Sequence, residues 1–444
     1  MMKKIIMGLI LAFTGIAIFS FGDVFAAPLE TASNASEFSV ALANVDGGGT
    51  IQLTASFDLD DYFDVDTKDV TLGLNGYTLT TDGTLWNPGA GAAVVYVADG
   101  YTLTVVGPGT LNVTSDTDGY AIRVANGGVV SVDGGAIVNT YSSSGDSELY
   151  AEYGSVISIT DGEISSYFAT ALGAGTTVTV SEAGMVEAEG IGATVNVIGV
   201  VGNVWADSGG TVNVYGNVIS GFPDMACAAI AIGGSKINIT GNMTFIGDFD
   251  DYAGICAGDE SEVVLNGDIT VTGPEIAGVV IIGGGAITIK GNISVTQTIS
   301  DANYVYGVRI EDIGNGSVYV KGSIVVVGNG IGVVLASNDS SVIVDGIVTA
   351  SQFAYFLGIP IEAGDYFSEA QSGSLHKPGY KLYGLSGDIF DSYLWVKIPT
   401  VSPLEDIENP ATSDINAAMI IRTSLVAAAG IVCAAVGLTN KLRT

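Results

Sequence analysis

Val212-Asn213-Val214-Tyr215-Gly216-Asn217-Val218 states a phrase that keeps returning between Thr211 and Ala350. It recurs as Ile237-Asn238-Ile239-Thr240-Gly241-Asn242-Met243 and as Val263-Val264-Leu265-Asn266-Gly267-Asp268-Ile269. It continues as Ile287-Thr288-Ile289-Lys290-Gly291-Asn292-Ile293, Val318-Tyr319-Val320-Lys321-Gly322-Ser323-Ile324 and Val342-Ile343-Val344-Asp345-Gly346-Ile347-Val348. The glycines recur at intervals of roughly 24 to 31 residues, inside the range that marks a stacked solenoid. Apolar residues occupy alternate positions and are mostly β-branched, which is the period of a strand with one buried face. The glycine then re-aims the chain where a side chain would collide or where φ must be positive.

A second apolar strand follows about ten residues after each phrase, the return that a short rung of this kind needs. These strands are Ala229 to Ile232, Gly254 to Ala257, Val279 to Ile282, Gly307 to Ile310 and Gly332 to Leu335. A rung of two short strands and a Gly-rich turn cannot bury its own apolar face, so rungs must stack, each strand bonding its equivalent above and below. Val214, Ile239, Leu265, Ile289 and Val320 then fall in one internal row. From Thr50 to Ala350 there is room for roughly twelve rungs, about 55 to 60 Å of stack at the spacing of paired strands. Rungs of this length resemble the right-handed parallel β-helix of the pectate-lyase-like superfamily, a likeness of architecture and not of catalytic motif. The fold class expected is all-β, a right-handed parallel β-helix with an N-terminal helical cap and a C-terminal transmembrane helix.

The flanks divide accordingly. Residues 1–26 place Lys3 and Lys4 ahead of an apolar run and end in Val24-Phe25-Ala26, the order of a secretory signal peptide cleaved between Ala26 and Ala27. The alternative is an uncleaved anchor; either way the body is exported. Residues 27–49 hold the cap, where Asn34-Ala35-Ser36-Glu37 reads as a capping box. Residues 50–350 form the solenoid, and Leu72 to Thr80 looks like the opening rungs of bacterial surface β-helix proteins. Residues 351–398, rich in Phe and Tyr, are expected to cap the far end with a final pair of strands; an aromatic glycan platform is the competing reading. Residues 399–414 are a linker carrying Asn409-Pro410-Ala411-Thr412-Ser413, residues 415–438 an apolar span, and residues 439–444 a basic end. The span is long enough to cross a hydrocarbon core as a helix, with Lys441 and Arg443 on the cytoplasmic side.

This tail is similar to the cell-wall sorting signal of Gram-positive surface proteins, in which a sortase cuts after the Thr of a pentapeptide such as NPxT(N/G) and transfers the protein to a wall amine. Asn409, Pro410 and Thr412 match. Ser413 replaces the commoner Gly, and Arg422 interrupts the span. The resemblance implies cleavage between Thr412 and Ser413 and transfer to peptidoglycan; retention by the transmembrane helix is the alternative. The expected location is extracellular, on the wall or cytoplasmic membrane of a Gram-positive bacterium.

A formal net charge of -33 repels nucleic acid and anionic lipid, so nucleic-acid binding is excluded. Cys433 lies in the apolar span, leaving Cys227 and Cys256 in the body. If Ser235 and Ser261 are equivalent, Cys227 stacks on Ala253 and Cys256 on Ile230, so no disulfide is expected.

A β-helix lyase or hydrolase needs a Ca²⁺-carboxylate cluster with an Arg or Lys base, or paired Asp residues. The densest mixed cluster is Arg309-Ile310-Glu311-Asp312, with Asp259-Glu260 at a similar corner. The corner between them is Gly283-Gly284-Gly285, which carries no charge. Arg123 and Lys236 stand alone, and His376 reads as a surface residue. Asp58 to Asp66 and Asp248 to Asp251 crowd carboxylates without the Gly and distal Glu of an EF-hand loop. No catalytic residue, metal or cofactor is expected. The sequence therefore points to a non-enzymatic cell-surface adhesin or structural stalk meeting glycans, host surface proteins or wall components. A β-helix polysaccharide lyase or hydrolase and a glycan-binding module without catalysis are the alternatives.

Overall fold

The computed structural model describes residues 29–82, 92–115, 119–142, 148–221, 226–247, 252–299, 304–311, 315–337, 339–366, 377–384 and 392–399. The signal-peptide site at Ala26 and Ala27, the sorting motif Asn409 to Ser413, the span 415–438, His376 and Asp248 to Asp251 lie outside them. Among the described residues no helix is long and apolar enough to cross a membrane.

The described chain is a parallel β-strand solenoid. Its strands fall into a 16-stranded and a 24-stranded sheet, and strands adjacent in a sheet come from successive coils. In the regular region each coil contributes three strands. The first ladder takes Thr211–Val214, Lys236–Ile239, Ser261–Leu265, Gly285–Ile289, Ser317–Val320 and Ser341–Val344. The second takes Val218–Ser220, Met243–Ile246, Ile269–Gly273, Ile293–Gln297, Ile324–Val327 and Val348–Thr349. The third takes Cys227–Ala231, Tyr252–Gly258, Ile276–Ile282, Val305–Glu311, Gly330–Leu335 and Gln352–Phe356. The second ladder was hidden in the sequence because its short strands follow the phrase glycine without a break in the apolar pattern.

Val214 pairs with Ile239, Ile239 with Leu265, Leu265 with Ile289, and Ile289 with Val320. All five are fully buried, so the expected internal row exists. The phrase glycines owe their place to crowding and not to a left-handed backbone. A Cβ at Gly216 would overlap the carbonyl oxygen of Gly199, one at Gly241 that of Gly216, and one at Gly267 that of Gly241. The next residue makes a second ladder of bonds. Asn217 Oδ1 accepts from Asn242 N at 2.9 Å, Asn242 Oδ1 from Asp268 N at 2.9 Å, and Asp268 Oδ1 from Asn292 N at 2.7 Å. Asn292 Oδ1 accepts from Ser323 N at 2.9 Å in turn, so backbone donors left over at the corner are satisfied coil by coil.

Coil length varies. The Asn213 amide donates to Asn196 across 17 residues, the Asn238 amide to Asn213 across 25, and Ser323 N reaches Asn292 across 31. In the shortest coils the second and third ladders fuse into the single strands Gly162–Leu172, Glu182–Glu189 and Val201–Asp207.

Both ends are closed by different means. Leu29–Ala32, read from sequence as part of the cap, is a strand paired with Gly49–Leu53. The helix Ala35–Asn44 follows, with the Asn34 side chain accepting from Glu37 N at 3.0 Å as the capping box predicts. Glu37 returns its bond to Ser33 N at 2.8 Å, one residue earlier than the box requires. Phe38 from this helix packs edge-on against Phe63, 5.5 Å between ring centres, covering the first coil. At the far end Gln352–Phe356 continues the third ladder and then turns back in Ile359–Ile361. Tyr393–Lys397 extends the first ladder, and Tyr380–Tyr383 pairs with it antiparallel, as the expected final pair of strands.

Replacing Ile289 by Asp puts an unpaired carboxylate in the internal row and should cost more than about 4 kcal/mol, whereas Asp at the outward neighbour Thr288 should change stability by less than about 1 kcal/mol. Thermal melts of the two variants followed by circular dichroism check this; equal melts would mean that position 289 is not internal.

Candidate functional site

The third ladder carries a bend. A straight strand alternates buried and outward residues, yet Cys227, Ala228 and Ala229 are buried in succession, as are Ala253, Gly254 and Ile255. At this corner a Cβ on Gly254 would lie 2.8 Å from the Gly278 carbonyl oxygen. Outward side chains on either arm of the bend therefore converge. In a flat ladder, residues one strand over and three along would stand about 11 Å apart. Here Cys227 and Cys256, which are related in that way, have their Cα atoms 6.0 Å apart and form a disulfide.

The register inferred from Ser235 and Ser261 is correct, since Cys227 pairs with Ala253 and Ile230 with Cys256. The conclusion that the two thiols stay apart is corrected: it assumed a flat strand. Joining residues 29 apart removes about 3.5 kcal/mol of unfolded-state freedom in the loop-entropy account. The same relation stacks Tyr120 on Tyr150, 4.3 Å between centres at 17°, nearer the N-terminal end of the ladder.

One outward position of this ladder runs the length of the stack. Asp64 lies beside Tyr96, Tyr96 beside Arg123, Arg123 beside Tyr150 and Tyr150 beside Thr170. Thr170 lies beside Glu187, Glu187 beside Trp205 and Trp205 beside Ile230. Farther on the position is apolar at Cys256 and Val280, then returns to charge at Arg309 and ends at Tyr355. Aromatic, basic and acidic groups thus share one face in the first half of the stack, with Tyr120, Tyr150 and Trp205 half-buried.

Arg123 is not alone. Its Nε donates to Glu152 Oε1 at 3.0 Å and its Nη2 pairs with the same oxygen. The guanidinium lies 5.9 Å from the ring centres of both Tyr96 and Tyr120. Lys236 is paired as well, 3.4 Å from Glu262 on the next coil. Both partners lie more than two dozen residues away, and only the coil register brings them close. Arg309 pairs with Glu311 and lies 4.9 Å from the Tyr306 ring, while Asp312 falls outside the described residues. The Asp259-Glu260 corner is left-handed at both residues and stacks on Gly283 and Gly284, the alignment expected; Glu260 N donates to Gly284 O at 2.9 Å. It sits in a shallow groove with Glu262 and Asn315, well away from Arg123 along the stack.

Burial pushes the Glu187 carboxyl above the usual carboxylate range, and the charges of Glu189 and Asp207 push it further. Burial likewise raises Asp64, helped by Asp66, and raises the Tyr150 hydroxyl well above the ordinary phenol value. Among the described residues no three His, Cys, Asp or Glu side chains are grouped to hold a metal ion, Asp58, Asp60, Asp61, Asp64 and Asp66 included. Comparison with family models, curated proteins and solved structures finds no match.

The row was missed in sequence because its coils differ in length and, before Cys227, lack the corner glycine that marks Gly254, Gly278, Gly307 and Gly332. An acid whose folded-state pKa is raised stabilises the fold only while protonated, and that contribution is lost as pH rises through the folded pKa. Glu187→Gln should therefore raise the melting temperature at pH 7, with the gain shrinking as pH falls below the ordinary carboxylate range. Melts at pH 7 and pH 3 measure it; a gain that is larger at pH 3 would contradict the assigned direction.

Proposed function

We propose that the chain is a secreted, surface-anchored right-handed β-helix of pectate-lyase-like architecture that works as a non-catalytic adhesin, gripping glycan on the bent face of its third ladder. The observation that carries this reading is the row from Tyr96 to Trp205, where half-buried Tyr150 and Trp205 stand in register with Arg123 and Glu187, with the buried Tyr96 and Thr170 among them. Sugars offer flat apolar faces and a rim of hydroxyls, and such a row offers rings with polar groups between them. The guanidinium of Arg123, held by Glu152, presents a fixed fork of donors to ligand hydroxyls.

The Cys227–Cys256 disulfide supports export, since such bonds persist in oxidising compartments. Ala26 and Ala27 would flank the signal-peptide cut. The sequence Asn409-Pro410-Ala411-Thr412-Ser413 would be the sorting signal, handed by a sortase to peptidoglycan, with the span 415–438 as the membrane anchor. A second reading, polysaccharide hydrolysis, draws on Glu187, because a carboxyl raised beside other carboxylates is what an acid-base pair requires.

Binding of a panel of pectins and host glycans, followed together with new reducing or unsaturated ends, separates these readings. Trp205→Ala and Tyr150→Ala should each weaken the bound glycan about tenfold with no new ends formed. New ends that disappear in Glu187→Gln while binding persists would establish hydrolysis instead. Removing residues 409–444 should release the protein into the medium; retention on the cell would overturn the anchor.

A further inference from the structure

The first ladder has a basic edge and a hollow acidic edge on the same few coils. Lys290 and Lys321 follow the strands Gly285–Ile289 and Ser317–Val320 at one position on successive coils, their N–H groups donating to Leu265 O and Ile289 O. Both are exposed, and among the described residues neither forms an ion pair. The next residue in that row, Asp345, accepts from Tyr319 Oη at 2.7 Å and from Tyr380 Oη. Like charges side by side on adjacent strands oppose the pairing that holds them there, so the two lysines are left with a repulsion that nothing described in the chain relieves.

The opposite edge lacks side chains where its neighbours have them. Gly283, Gly284 and Gly285 lead into their strand, and a shallow groove of about 550 Å³ opens over them. Glu260 and Glu262 line it from the coil before, Asn315 and Ser317 from the coil after. Glu262 is held by Lys236 at 3.4 Å, whereas Asp259 and Glu260 are exposed and, among the described residues, form no ion pair. Gly285 and Lys290 are five residues apart along the strand, about 16 Å. The lysines and the groove therefore stand level with each other on one molecule and are too far apart to meet on it.

We infer that the missing partner is a second copy of this chain, lying parallel and level, whose Lys290 and Lys321 enter the groove over Gly283, Gly284 and Gly285 and pair with Asp259 and Glu260. Each copy offers its lysine edge to one neighbour and its groove to the other, so the contact is heterologous and repeats by translation. The first ladders of successive copies then lie side by side in one plane. Copies tethered by the same end stand parallel, which is the orientation the contact requires. The acidic chain makes the contact depend on salt. At about 0.01 M the Debye length is about 30 Å and two strongly negative molecules repel as wholes; at about 0.15 M it is about 8 Å and the pairs at the contact decide. At about 1 M it is about 3 Å, and the exposed pairs are screened as well.

The test uses the full-length chain as an equal mixture of isotope-labelled and unlabelled copies, joined by a zero-length carbodiimide and mapped by mass spectrometry. At about 0.15 M salt, links of mixed isotope should join peptides bearing Lys290 or Lys321 to peptides bearing Asp259 or Glu260, and they should fall about tenfold at about 1 M. The variant Lys290→Glu, Lys321→Glu and the variant Asp259→Asn, Glu260→Lys should each lose these links by about tenfold when alone. Mixed together the two variants should recover them, because the lysine edge of the second meets the unaltered groove of the first. Unchanged melting of both variants confirms that the fold is intact. Absence of mixed-isotope links between these peptides in the unaltered chain, equal yield from either variant alone, or no recovery on mixing would overturn the contact.

Discussion

The parallel strands described here leave their N–H and C=O groups pointing up and down the stack, where only the neighbouring coils can satisfy them. A one-residue slip would turn each inward valine or isoleucine to water and each outward lysine or glutamate into the core. Hydrogen bonding and apolar burial therefore demand the same register. The Asn217, Asn242, Asp268, Asn292 series adds a third demand at the corner, where side-chain oxygens accept from backbone donors one coil on. Glycine at the preceding position lets the carbonyl of one coil sit against the next.

Once the register is fixed, outward residues are organised as rows, and a row is the natural unit of surface chemistry. Residues 17 to 31 apart in sequence become neighbours. Arg123 meets Glu152, Lys236 meets Glu262, and Tyr319 meets Asp345 by the same rule. The bend in the third ladder adds a diagonal relation, which brings Tyr120 onto Tyr150 and Cys227 onto Cys256.

Much of the fold is legible in the sequence where the phrase is regular. Alternation in Val212 to Val214 and its repeats marks the first ladder, and the pairing of Val214 through Val320 follows from aligning the glycines. Asn34 and Glu37 announce the helix. Less legible is whatever depends on curvature or on irregular coil length. The disulfide was unreadable because flatness was assumed at Ala228 and Gly254. The partners of Arg123 were unreadable although Gly100, Gly127 and Gly154 mark equivalent turns, because Glu152 lies two places beyond Tyr150, the residue in register with Arg123. Leu29–Ala32 was absorbed into the cap because a lone four-residue strand has no periodicity of its own. The outer faces were hardest of all, since an outward position tolerates any polar residue and leaves no pattern.

The antiparallel hairpin of Tyr380–Tyr383 against Tyr393–Lys397 gives the first ladder a last strand that runs the wrong way. A second molecule arriving with its own coil in the common direction would meet a reversed strand there, as it would at Ile359–Ile361 on the third ladder, so neither edge continues the parallel register by which coils stack. Propagation into a filament by edge templating is thereby refused at this margin, and an open-ended architecture is given a fixed number of units.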